Sequence, residues 1–128
     1  AIPDRFRKKN EIAIDRRHFE AVIEGMELAV RAGTAYNAYL PEVAICGKTG
    51  TSQNPHGEDH SVFFAFAPKV NPQIAIAVYV ENAGWGGEVA APIASLMIEK
   101  HLRGKVIRRD LHKRMIEKDL IGVKKNKT

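Results

Sequence analysis

The chain has 128 residues, of which 45% are hydrophobic and 27% are charged, a composition typical of one globular domain. No run approaches the ~20 apolar residues of a transmembrane helix, and the single cysteine, Cys46, excludes an internal disulfide. The net charge of +5 is unevenly distributed, with +7 on residues 103–128 and −2 on residues 1–102. Such a basic end can bind nucleic acid or anionic lipid, but it is more often a solvated, mobile tail.

A linker and an amphipathic helix open the chain. Residues 1–15 are mixed and charged, and we interpret them as a linker. A helix is predicted over residues 16–32, with Asp15 as its N-cap and Gly33 as its C-terminal stop. This helix should bury one face, because its apolar residues recur at i, i+3, i+4 and i+7: Phe19, Val22, Ile23, Met26, Ala29 and Val30.

Three strands are predicted next. They cover residues 43–49, the run SVFFAFAP at 61–68, and the run QIAIAVYVEN at 73–82. The short connection KVNP between the last two predicts an antiparallel hairpin. Ala75 and Ala77 form a small face on the third strand, and we expect a helix to pack against that face.

A second helix is predicted in VAAPIASLMIEKHL, residues 89–102, after the glycine-rich turn AGWGGE. It is apolar around most of its circumference, so it should be buried on more than one side, and Gly104 should end it. The spacing of Ile107, Leu111 and Met115 predicts a weak third helix, and the terminal KKNKT is predicted to be disordered. The fold class predicted is mixed α/β, with a partial antiparallel sheet of three strands flanked by helices.

The stretch CGKTGTSQ, at the end of the first predicted strand, contains the candidate site. Lys48 offers a cation, and Thr49 and Thr51 are spaced to present both hydroxyls on one side of a strand. Gly50 lets a substrate backbone approach the strand edge. Together these groups suit a peptide carboxylate, and the Thr51 N–H can donate to an oxyanion. Taken alone, Lys-Thr-Gly-Thr is also a common strand end.

The wider context resembles the C-terminal part of the transpeptidase domain of class B penicillin-binding proteins, and in particular the elongation type, penicillin-binding protein 2. The helix ending in AGTA, the phrase GKTGTSQ, the two apolar strands and ENAGWGGEVAAPIASLMIEKHL carry this resemblance. It covers residues 16–103 and leaves residues 104–128 as a basic C-terminal tail. It implies the penicillin-binding-protein and serine β-lactamase fold, whose five-stranded antiparallel sheet would take three strands from this chain.

The resemblance also implies roles for the candidate residues. Lys48 would support substrate recognition and proton movement as a catalytic residue. Thr49, Gly50 and Thr51 would bind the terminal carboxylate of the donor peptide or of a β-lactam. The Thr51 N–H would share the oxyanion hole with the N–H of the nucleophile.

The family's nucleophile is missing from this sequence. It is a serine in S-x-x-K, and no lysine stands three residues after Ser52, Ser61 or Ser95. The family's second motif, S-x-N, is matched at residues 52–54, but this match adjoins the Lys-Thr-Gly strand, and we interpret it as chance. We therefore expect the chain to be a piece of a longer protein whose serine lies elsewhere.

The function implied is that of a peptidoglycan D,D-transpeptidase, which cross-links cell-wall peptides through an acyl-serine and is inhibited by β-lactams. A D,D-carboxypeptidase or a serine β-lactamase of the same fold stays open. A small basic interaction module is the alternative from another class, although no interleaving of aromatic and basic residues indicates RNA binding.

The same resemblance sets the expected partners and location. The partners are stem peptides ending in D-Ala-D-Ala, β-lactams and, through the full-length chain, other cell-wall elongation proteins that determine cell shape. We expect no nucleic acid and no cofactor. The full-length protein should sit at the inner membrane with this domain on its periplasmic face. This piece alone should be inactive and should self-associate through its incomplete sheet.

Four other residues are candidates for chemistry. His56 and His60 are four apart in a loop, but no further ligand completes a metal site, so we expect no metal. An alternative prediction is that both histidines line the substrate groove. Cys46 is expected to be buried and inert. Trp85 either anchors the glycine-rich turn or forms the groove rim, and the sequence leaves both open.

Overall fold

The computed structural model describes residues 3–8 and 11–120. Its elements are a 3₁₀ turn at Asp4–Phe6, α1 (Arg16–Ala32), a second 3₁₀ turn at Tyr36–Ala38, β1 (Cys46–Ser52), β2 (His60–Ala67), β3 (Ile74–Val80), α2 (Ala90–Arg103) and α3 (Arg109–Ile116). This order confirms the predicted one, and α3 confirms the weak third helix. No helix in the described part of the chain is long and apolar enough to cross a membrane. The predicted disorder of KKNKT lies outside the described residues.

The three strands form one antiparallel sheet in the order β1-β2-β3, as predicted. Thr49 lies opposite Phe63, and Lys48 lies opposite Phe64. Paired residues share a face of the sheet, and neighbours along a strand alternate between faces. One face therefore carries Thr49 and Phe63, while the other carries Lys48 and Phe64.

The start of β1 corrects the sequence prediction. The strand begins at Cys46, three residues after the predicted start at Val43, and it continues to Ser52. Leu40 and Val43 instead pair across a turn in which Glu42 has φ 67°. Val43 is therefore part of this turn, and the ladder with β2 begins at Cys46, opposite Phe66.

The helix α2 covers one face of the sheet and is buried on more than one side, as predicted. Gly104, in the left-handed conformation at φ 73°, ends it. The core is built from α1, the segment between α1 and β1, β2 and α2. Its buried residues are Val30, Ala35, Ala38, Leu40, Ile45, Phe63, Ala65, Ala67, Ala90, Ala91, Ala94 and Ile98.

The face of β3 that contacts α2 is the opposite of the predicted one. Ile74, Ile76 and Val78 pack against the core, while Ala75 and Ala77 are exposed. The prediction is wrong because the small side chains that allow close packing belong to the helix, which presents several alanines. The sheet supplies the larger, branched side chains at this contact.

The helix α1 has the predicted limits and part of the predicted burial. Asp15 caps it by accepting a backbone N–H at 3.0 Å, and Gly33 ends it. Among the described residues of α1, only Val30 is buried; Phe19 is 42% exposed and Val22 is 62% exposed. The prediction of one buried face is therefore confirmed in part, because Ile23, Met26 and Ala29 are half-buried and Val30 is buried, whereas Phe19 and Val22 are exposed. The contact of α1 with the sheet is mainly through β1.

A buried ionic cluster ties the region after α2 to the fold. Glu99 is fully buried, with Oε1 3.5 Å from Arg103 Nη1 and Oε2 3.2 Å from Arg108 Nε. Arg108 also donates to the Tyr39 carbonyl at 2.9 Å and to Ser95 Oγ at 3.2 Å. Two cations of the basic C-terminal region are thus engaged in packing rather than solvated.

Candidate active site

The candidate residues lie on β1, which is an edge strand of the described sheet. The hydroxyl-bearing residues Thr49 and Thr51 share the face that carries Phe63 and Ser61, as their i, i+2 spacing predicts. Lys48 is exposed on the opposite face, and its Nζ donates to the Thr49 carbonyl at 2.6 Å. The cation and the two hydroxyls therefore flank the same edge of the strand from its two faces, and their roles in binding stay a prediction.

The hydroxyl of Thr49 is held by a residue that the sequence interpretation missed. Thr34 Oγ1 lies 3.1 Å from Thr49 Oγ1. Thr34 follows Gly33, so the end of α1 delivers this second hydroxyl to the strand. Asn37 Nδ2 donates to the Gly87 carbonyl at 2.9 Å and joins the same segment to the glycine-rich turn. The phrase AGTA, already part of the family resemblance, was the signal for Thr34.

The glycine-rich turn packs directly on the backbone of β1 and β2. A Cβ at Gly86 would collide with the carbonyl oxygens of Gly50 and Val62, and a Cβ at Gly87 would collide with the carbonyl oxygen of Thr34. Glycine is therefore required at 86 and 87 for close backbone approach. The strand β1, the segment after α1 and the glycine-rich turn therefore meet at the candidate site.

A buried serine fixes the same turn to β2. Ser61 Oγ donates to the Trp85 carbonyl at 3.0 Å. It also accepts at 3.0 Å from the N–H of Ala90, the first residue of α2. The indole of Trp85 is 74% exposed. The backbone of Trp85 thus anchors the turn, while its side chain lies at the surface one residue from the Gly86 contact.

Of the two histidines predicted to lie in a loop, His56 does so, whereas His60 is the first residue of β2. His60 Nδ1 accepts the Asn82 N–H at 3.0 Å, and its ring lies 5.4 Å from that of Tyr79. The His56 N–H donates to Asn54 Oδ1 at 3.0 Å. Within the described residues, no group of three or more His, Cys, Asp or Glu side chains is arranged to hold a metal ion. A position for either histidine along the substrate groove stays a prediction.

Cys46 is fully buried, as predicted, beside an ion pair. Burial raises the pKa of the Cys46 thiol, and the nearby Glu27 carboxylate raises it further, so the thiol stays protonated and weakly nucleophilic. Lys69 Nζ donates to Glu27 Oε2 at 2.7 Å, joining α1 to the β2–β3 turn. This hydrogen bond lowers the pKa of Glu27 and raises the pKa of Lys69.

The chain is similar to known cell-wall enzymes. The family described as the penicillin binding protein transpeptidase domain matches residues 4–99. Peptidoglycan D,D-transpeptidase PbpA of Mycobacterium tuberculosis is 42% identical over 77 residues, which are 52% of this chain and 15% of the relative. Peptidoglycan D,D-transpeptidase MrdA of Haemophilus influenzae is 33% identical over 106 residues, which are 69% of this chain and 16% of the relative. The chain therefore spans only a small part of these relatives.

Solved structures agree. Pseudomonas aeruginosa PBP2 in complex with WCK 5153 superposes with a TM-score of 0.64 and 37% identity, over 79% of this chain and 23% of that one. The ceftriaxone acyl-enzyme complex of penicillin-binding protein A from M. tuberculosis gives a TM-score of 0.62 and 31% identity, over 72% and 22%. From the family match and these likenesses, we conclude that the chain belongs to the penicillin-binding protein transpeptidase domain family.

Proposed function

We propose that this chain forms one wall of the active site of a peptidoglycan D,D-transpeptidase. The observation that carries the proposal is the edge of β1, where Lys48 lies on one face and the hydroxyls of Thr49 and Thr51 lie on the other. In a member of this family, that edge can receive a stem peptide ending in D-Ala-D-Ala. The lysine cation and the threonine hydroxyls hold its terminal carboxylate, and the Thr51 N–H donates to the oxyanion.

The covalent step needs a group from outside these 128 residues. A serine attacks the carbonyl between the two D-alanines, the terminal D-alanine leaves as an amine, and an acceptor amine later displaces the serine. The sequence contains no serine followed three residues later by lysine. The chain alone therefore positions the carboxylate but does not form the ester. A β-lactam acylates the same serine by opening of its ring.

The setting of the full-length protein belongs to the same proposal. It acts at the periplasmic face of the inner membrane together with other cell-wall elongation proteins. The 128-residue chain by itself is inactive. It self-associates because Phe64 and Tyr79, 49% and 55% exposed, lie on the face of the sheet opposite α2. Light scattering of the chain at increasing concentration tests the association, and a monomer throughout contradicts it.

The reaction is tested on the full-length protein with a donor peptide ending in D-Ala-D-Ala and an acceptor amine. Mass spectrometry should show release of D-alanine and a cross-linked product. Hydrolysed donor without cross-links would indicate a D,D-carboxypeptidase instead of a transpeptidase. Rapid turnover of penicillin would indicate a β-lactamase. Release of no D-alanine, together with no penicillin adduct, would contradict all three.

A further inference from the structure

We propose that Thr34 is a positioning residue that orients the Thr49 hydroxyl toward the substrate carboxylate. The proposal rests on the function proposed above, in which Thr49 binds that carboxylate. Its basis is the 3.1 Å contact between the two Oγ1 atoms. Thr34 belongs to the segment after α1 and Thr49 to β1, so the contact joins residues that lie far apart in sequence.

The number of protons in this contact makes it directional. Each hydroxyl has one hydrogen to donate, while a carboxylate only accepts. If Thr49 donates to Thr34, it presents only lone pairs to the carboxylate. If Thr34 donates to Thr49, the Thr49 hydrogen is available to the carboxylate. A bound carboxylate therefore selects the chain from Thr34 to Thr49 to the carboxylate, and the first hydrogen bond polarises and strengthens the second.

The backbone of Thr34 is fixed in a way that suits this role. The next residue, Ala35, is fully buried, and its N–H donates to the Ala29 carbonyl at 3.0 Å. Gly87 packs on the Thr34 carbonyl, and Asn37 holds Gly87 through its carbonyl at 2.9 Å. The hydroxyl of Thr34 is therefore presented from a rigid frame, which is the condition for orienting a neighbour without reorganisation when substrate binds.

The test compares acylation of the full-length protein by benzylpenicillin and by its methyl ester, which lacks the carboxylate. The ratio of the two second-order rate constants measures recognition of the carboxylate. Thr34→Val removes the hydroxyl and keeps the shape, and it should lower the ratio roughly 3–10-fold, since one hydrogen bond in the chain is lost. Thr34→Ser should restore the ratio. In a Thr49→Val background, Thr34→Val should change the ratio no further.

Lys69→Met is the control, because it breaks the hydrogen bond from Lys69 to Glu27, which lies outside the frame that holds Thr34 and Thr49. It should lower the thermal stability and leave the ratio unchanged. If Thr34→Val does not fold, Thr34→Ala must give the same loss in ratio. A normal ratio in a folded Thr34→Val or Thr34→Ala protein would overturn the role of Thr34 while the proposed function stands. Absence of acylation in the wild-type protein would overturn the proposed function itself.

Discussion

The two long helices contact the same small sheet, yet they differ in how completely they are covered. The helix α2 buries eight of its residues, including the charged Glu99, whereas α1 buries only Val30 among its described residues. The difference is not one of helix signals, because both have apolar stripes and clear ends. It shows that, among the described residues, α2 is packed much more extensively than α1.

The candidate site lies at the boundary between these two layers. Thr49 faces the covered side, where the segment after α1 and the glycine-rich turn fix it. Lys48 lies on the opposite face, beside the exposed Phe64. The relatives are much longer than this chain, and in the function proposed above the nucleophile comes from outside residues 1–128.

The largest effect is expected within the α2 layer, at its buried ion cluster. Arg108→Ala leaves the Glu99 carboxylate with only Arg103, at 3.5 Å, and it also removes the donors to Tyr39 and Ser95. Removal of one partner of a buried ion pair costs about 3–5 kcal/mol. Denaturant unfolding should show this loss. Replacement of Glu99 and Arg108 together by Leu and Met should cost much less, and equal losses in the single and double variants would argue against the cluster.

A matched pair of alanines tests which face of the sheet α2 covers. Ala94→Phe overpacks the core between α2 and the sheet, where Ala94 is fully buried, and should cost about 1–3 kcal/mol or more. Ala77→Phe places the same ring on the exposed face and should change the free energy of unfolding by less than about 0.5 kcal/mol. Thermal unfolding of the two variants measures the difference. The reverse order of effects would place the helix on the other face.

A smaller, stabilising effect is expected at the turn before β1. Glu42 has φ 67°, a conformation that costs a residue with a Cβ roughly 1 kcal/mol, and its ion pair with Arg103 is 88% exposed on the Glu42 side. Glu42→Gly should therefore raise the melting temperature. Glu88→Gly, at a position without positive φ, should lower it slightly. A lower melting temperature for Glu42→Gly would show that the ion pair outweighs the strain.

The smallest effect is a pH dependence at the link between α1 and the β2–β3 turn. The lowered pKa of Glu27 stabilises the fold above about pH 4.3, and this contribution is lost as the pH falls through the folded-state pKa. The raised pKa of Lys69 contributes below about pH 10.4 and is lost as the pH rises through its folded-state value.

Thermal unfolding as a function of pH tests this link. The destabilisation caused by Lys69→Met should be largest between those limits and should decrease as the pH falls through the folded-state pKa of Glu27. Lys100→Met, whose lysine donates to a backbone carbonyl instead of a carboxylate, is the control. A constant difference between wild type and Lys69→Met across the acid range would contradict the pairing with Glu27.

The sequence predicted what depends on local signals. The N-cap at Asp15, the stop at Gly104 and the hairpin through KVNP are each encoded within a few residues, and all three are found in the structure. The prediction of which face of β3 packs against α2 was wrong, because that choice depends on which partner supplies the small side chains. The contact between Thr34 and Thr49 was missed because it exists only after α1 and β1 have packed.

One measurement tests the central claim, that the β1 edge with Lys48 is part of a penicillin-reactive site. The full-length protein should be labelled by a fluorescent penicillin at a serine outside residues 1–128. Lys48→Ala should slow this labelling on the order of 10²–10³-fold, because it removes a positioned cation. Lys105→Ala, an exposed lysine away from the strand, should label at the wild-type rate. Unchanged labelling of Lys48→Ala would show that the edge of β1 is an ordinary strand edge and contradict the account.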